Sequence, residues 1–89
     1  MDTYYLVDAG SPFYNLLTAG EAAELFESVR PERRHGSLDD GFEYWELLEN
    51  GLGQRFRFSV TVSPIPAGEL PAVCKHLSRF IDLPEGLMP

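Results

Sequence analysis

The clearest pattern along the chain runs from Arg55 to Ser63, where Arg-Phe-Arg-Phe-Ser-Val-Thr-Val-Ser alternates with a period of two. That period puts Phe56, Phe58, Val60 and Val62 on one face of a strand, and Arg55, Arg57, Ser59, Thr61 and Ser63 on the other. Upstream, Phe42 to Glu49 is a second β-rich run, and Asn50-Gly51 between the two predicts a hairpin. Loop parity decides which side chains of the first run join the core. An even loop sets Trp45 and Leu47 beside Phe56 and Phe58. It also brings Glu46 to the face of Arg55 and Arg57, where opposite charges contribute up to about 1 kcal/mol. An odd loop, centred on Leu52 or Gly51, buries Glu46 against an aromatic with no partner, which is costly. The expectation is the even loop, with Phe42 and Tyr44 on the wetter face beside Arg57.

Two further periodicities predict helices. Thr18-Ala19-Gly20-Glu21 has the spacing of a capping box, and Ala22, Leu25, Phe26 and Val29 follow at the interval of a buried helical stripe. Arg30-Pro31 ends that helix, because the residue before a proline leaves the helical region. A second helix is predicted from about Gly68 to Pro71 onward, with Leu70, Val73, Cys74, Leu77, Phe80 and Ile81 as its apolar stripe. Thr3 to Asp8 is a short run of β-formers, read as a strand covered on both faces or one at a sheet centre. Phe13 to Leu17 reads as a packed apolar connector and Arg30 to Asp40 as a solvated, mobile polar link. Leu83 to Pro89, with Pro84, Gly86 and Pro89, reads as an irregular tail.

The predicted order is strand, helix, strand, strand, helix: a small single α+β domain over residues 1–89. The sheet is expected to be three-stranded and mixed, its first strand parallel to the second strand of the hairpin, with both helices on the Phe56–Phe58 face. This is the topology of a ferredoxin-like unit lacking its last strand. It leaves the first strand with an unpaired edge, where a homodimer mate is one expectation.

Composition narrows the functional classes. At 89 residues the chain supports one modest core. It has no apolar run of membrane-spanning length, and its start lacks the basic region of a signal peptide. A single cysteine makes no internal disulfide, so the cytoplasm is the expected location. The net charge is −7 and uneven: residues 1–54 carry eleven acids against three bases, whereas residues 55–89 carry three against four. An acidic surface disfavours DNA, RNA and anionic lipid and favours a basic protein partner.

The search for chemistry is mostly negative. The dinucleotide, Walker, zinc-protease and nucleophile-elbow motifs are all missing from the sequence. Cys74 and His76 are two positions apart on the expected helix and point in different directions, and Cys74 lies on the apolar stripe. His35, Asp39 and Asp40 lie within six residues but lack a fourth ligand and a rigid frame for a metal. The expectation is therefore a non-enzyme without cofactor or metal.

What remains is a line of acids, Asp39, Asp40, Glu43, Glu46 and Glu49, interleaved with Phe42 and Tyr44. Aromatics supply hot spots at interfaces and carboxylates supply steering, so this strip is the expected partner-binding surface. The functional expectation is a small cytoplasmic module that masks a basic surface of a protein partner, including one that binds nucleic acid. Immunity proteins and phage-encoded inhibitors of nucleases or defence complexes act in this way. Two alternatives stand beside it: a homo-oligomeric subunit completed through the free strand edge, and a small-molecule-binding domain with its site beneath Arg33-Arg34-His35.

Overall fold

The capping box forms as its spacing predicts. In the computed structural model, which describes residues 3–87, the Thr18 hydroxyl accepts from the Glu21 N–H at 3.2 Å, and the Glu21 carboxylate accepts from the Thr18 N–H at 3.1 Å. These bonds open helix α1, Ala19–Ser28, which buries Ala22 and the adjoining Val29. The helix end is closed by a residue distant from its stripe. Arg34 donates to the carbonyls of Phe26, at 2.6 Å, and Val29, at 2.8 Å, while its guanidinium lies 3.9 Å from the centroid of the Phe26 ring. A cation on the last free carbonyls both satisfies them and complements the helix dipole.

The sheet corrects the sequence reading. It contains five strands rather than three: β1, Tyr4–Asp8; β2, Tyr14–Thr18; β3, Arg34–Ser37; β4, Gly41–Glu49; and β5, Arg55–Pro64. Their order is β2-β1-β5-β4-β3 and every neighbouring pair is antiparallel, so neither the mixed sheet nor the truncated ferredoxin-like topology is present. The expected adjacency of the first strand and the second hairpin strand holds, but with opposite direction. β1 pairs with β2 on one side and β5 on the other. The free edge expected on the first strand, and the homodimer placed there, are thereby removed. The two missed strands are the apolar connector and the polar link. Both acquire their conformation from ladder hydrogen bonds with β1 and β4, respectively, rather than from a pattern of their own.

The second correction is that the helices cover opposite faces. α1 packs over Tyr5, Phe42, Val60 and Val62. The second helix, α2, Leu70–Leu77, packs on the other face over Leu16, with Tyr4, Leu6 and Tyr14 around it. Leu83 is buried in this second cluster and Leu87 packs against it, so the segment after α2, expected as an irregular tail, is docked as far as Leu87 while carrying only the 3-10 turn Glu85–Leu87. Its last two positions, 88 and 89, lie outside the described residues, as do residues 1 and 2 at the start. α2 reaches only the β1–β2 side, so the rest of its face stays open over β3, β4 and β5: Glu43, Arg57, Ser59 and Thr61 are all exposed there. No helix among the described residues is long and apolar enough to cross a membrane.

Candidate functional site

The geometry of the candidate surface follows from one loop. Glu49 pairs with Arg55, so the connection is the five residues Asn50 to Gln54, an odd loop rather than the expected even one. The Asn50 side chain holds it. Its Oδ1 accepts from the N–H groups of Leu52, at 2.9 Å, and Gln54, at 3.0 Å, and its Nδ2 donates to Gln54 Oε1 at 2.9 Å. Gly53 takes the left-handed φ of +78° that closes the turn. The penalty expected for Glu46 does not arise. Glu46 does oppose Phe58, but at a position beyond the reach of α1, where it is exposed.

With this register the acidic strip divides. Asp39 and Asp40 are exposed in the three-residue β3–β4 turn, where the Ser37 hydroxyl accepts from the Asp40 N–H at 3.1 Å. Glu43 and Glu49 lie on the open face, whereas Glu46 lies with Tyr44 on the α1 face. Phe42 is only 2% exposed, with its ring 5.0 Å from that of Phe26 in an edge-on contact, and it presents no surface to a partner. Tyr44 is half-buried and stacks on Phe42 at 6.2 Å; burial, and then the charge of Glu46, push its hydroxyl pKa up. Trp45 is not core, as the even loop required. It opposes Ser59 on the open face, with the Arg57 guanidinium 4.2 Å and the Arg33 guanidinium 4.9 Å from its ring centroid.

Two features escaped the sequence reading. One is an apolar arm. Leu47 is 50% exposed, Leu48 37%, Leu52 85% and Phe56 47%, all on the distal half of the β4–β5 hairpin. The signal was present in element lengths: ten residues of strand extend roughly 33 Å, at about 3.3 Å each, while ten of helix reach only about 15 Å. α1 therefore cannot cover both ends of β5, and the apolar alternation continues past its cover.

The other feature is a cleft of about 390 Å³ on the open face, lined by Glu32, Arg33, Arg34, His35, Glu43, Tyr44, Trp45, Arg57 and Ser59. It lies where the small-molecule alternative placed its site. Elsewhere, burial pushes the Cys74 thiol pKa up, the opposite of an activated nucleophile, and His76 packs on Tyr14 with ring centroids 5.5 Å apart. Among the described residues no three His, Cys, Asp or Glu side chains, His35, Asp39 and Asp40 included, are grouped to hold a metal ion. Comparison with protein-family models, with curated proteins and with solved structures yields no match to this chain.

Proposed function

We propose that the chain is a protein-binding module that docks on a basic surface of a partner through the β4–β5 arm, masking that surface. The observation that carries this reading is the exposure of Leu47, Leu48, Leu52 and Phe56 together on one projecting hairpin. Scattered surface leucines need no explanation, but Leu48 and Phe56 paired on the α1 side, Leu47 on the opposite side and Leu52 in the loop leave both faces of the arm's end apolar, an exposure of the kind partners cover. Glu46 and Glu49 are exposed on either side of Leu47-Leu48 in β4; Glu49 contacts Arg55 at 3.9 Å, and Glu46 supplies a carboxylate, unpaired among the described residues, that steers a basic partner. The proposed contact set is thus shifted along the hairpin. Glu43, Glu46 and Glu49 stay at its edge, Asp39 and Asp40 form a second acidic point at the β3–β4 turn, and Phe42 leaves it.

The test is capture of a basic protein from the native host, followed by purification of that protein and titration with the wild-type chain, with Leu52→Ser/Phe56→Ser and with Glu46→Lys/Glu49→Lys. Binding that weakens with salt and is reduced at least tenfold by each double variant supports the arm. Unchanged affinity of both variants, at native circular dichroism, refutes it. A concentration-dependent dimer of the free chain that disappears with Leu52→Ser/Phe56→Ser would reassign the arm to self-association.

A further inference from the structure

We propose that the cleft around Trp45 binds a phosphate monoester, with Arg33 and Arg57 as its anion ligands. The inference does not depend on the arm's function. It starts from a charge anomaly: in a chain with fourteen acids and seven Lys or Arg residues, two guanidiniums stack on the same indole and, among the described residues, neither forms an ion pair. Carboxylates are near enough in the chain to have served. Glu32 precedes Arg33 and Glu43 stands two positions from Trp45, yet Glu32 pairs with Arg30 at 3.9 Å, and Arg55 takes Glu49 at the same distance.

The backbone explains how the pair is held. Arg33 ends a single 3-10 turn, Pro31–Arg33, immediately before β3, and Arg57 lies on the open face of β5. Trp45 on β4 stands between those strands, so the two cations approach its ring from neighbouring elements. Stacking on an aromatic face fixes the plane of a guanidinium and leaves its N–H edge free, which is the presentation used for oxyanions. Arg34 is excluded from this role, because its Nη1 is committed to the α1 carbonyls.

The choice of anion follows from the donors. A carboxylate has two oxygens and one charge, and a single guanidinium fork satisfies it. A phosphate monoester carries close to two charges and three terminal oxygens, enough to use both guanidiniums with the Ser59 hydroxyl or His35 as a further donor. Glu32 and Glu43 on the cleft wall oppose a bare anion and complement hydroxyl or amino donors on the organic part of an ester. An ester is therefore preferred over inorganic phosphate.

Trp45 is the chain's one tryptophan, so its emission reports on the cleft directly. The experiment titrates O-phosphoserine, inorganic phosphate, serine and sodium chloride at constant ionic strength, and follows in parallel the arginine Nε–H resonances by NMR. The expected result is a saturable response to O-phosphoserine, weaker with inorganic phosphate and missing with serine and chloride. Affinity should fall at least tenfold in Arg33→Gln and in Arg57→Gln but persist in Arg55→Gln, which lies outside the cleft. A peptide centred on phosphoserine separates the sources: tenfold tighter binding than the free amino acid points to a modified protein, and equal binding to a small metabolite. Equal responses to serine and O-phosphoserine would overturn the proposal. So would unperturbed Arg33 and Arg57 resonances, a result that needs no variant to fold.

Discussion

Phe42 and Phe56 lie on the same face of the same hairpin, and the observed register gives them opposite fates. Phe42 is 2% exposed in the centre of the α1 cluster, against Phe26 and Tyr44; Phe56 is 47% exposed on the arm. Truncating a fully buried Phe removes its transfer free energy and leaves a cavity, together about 3–5 kcal/mol, and the edge-on contact with Phe26 places Phe42→Ala in the upper half of that range. At Phe56 roughly half of a full transfer term of about 1.5–3 kcal/mol is at stake. Its neighbour across the strand, Leu48, is itself 37% exposed, so no closed cavity forms and the cost stays near or below about 1 kcal/mol. A domain of this size has a total stability of about 4–13 kcal/mol, so the first substitution removes a third or more of it. In Tm the difference is at least about 12 °C, at about 4–8 °C per kcal/mol. Urea unfolding followed by far-ultraviolet circular dichroism measures both. If Phe56→Ala costs as much as Phe42→Ala, the five-residue loop is wrong, and the even register with Trp45 inside takes its place.

Two other perturbations probe the sheet and its core. Gly36 has φ +107°, and a Cβ there would collide with the carbonyl oxygen of Gly41, so Gly36→Ala is expected to cost more than about 2 kcal/mol; Gly68→Ala, in open space, should stay within about 0.5 kcal/mol in the same urea assay. Burial raises Cys74 above the ordinary thiol value of 9.0, and burial with Glu46 raises Tyr44 above 10.0. The unfolded chain therefore releases these protons first, and stability that is full below about pH 9 falls as pH rises, by at most about 1.4 kcal/mol per pH unit for each group. Tyr44→Phe should flatten the part above about pH 10, and a wild-type stability that is level or rising between about pH 8 and 10.5 would contradict both shifts.

How much of this was legible depended on whether an element carried its own pattern. α1 was readable to its cap, because Thr18 and Glu21 satisfy local donors and Ala22, Leu25, Phe26 and Val29 repeat on one side. β5 was readable from its alternation. β3 was not: Arg-His-Gly-Ser has no apolar alternation and low strand preference, and it is a strand because Gly36, where a Cβ would collide with the Gly41 carbonyl oxygen, allows close pairing with β4. Arginine and histidine on such a short edge strand also discourage unwanted pairing. β2 was hidden for another reason. Tyr14 and Leu16 face α2 while Leu17 faces α1, so a strand covered on both sides reads as an unpatterned apolar run. Without β2 and β3 the sheet lost both of its edges, and β1 was left with an edge it does not have.

The loop parity mattered more than the missing strands, because a slip of one residue moves every side chain of a strand to the other face. In the even register, Glu46 neutralises Arg55 and Arg57 and the indole is buried, which leaves an acidic strip as the only conspicuous surface. In the observed register, Glu46 goes to the side of α1, where Glu21, Glu24 and Glu27 are also exposed. Trp45 emerges on the opposite face between Arg33 and Arg57. The register thus places Glu46 and Arg57 on opposite faces of the sheet rather than together on one. Two electrically distinct surfaces follow, an acid-rimmed apolar arm matched to a cationic partner and an arginine-lined cleft matched to an anion. Whatever the two bind, they share β4 and β5. Arg57 pairs with Leu47 across the strands, and Leu47 belongs to the arm. Occupancy of the cleft that fixes Arg57 also fixes the base of the arm, so the two binding events are expected to be coupled, each altering the other's affinity by one common factor.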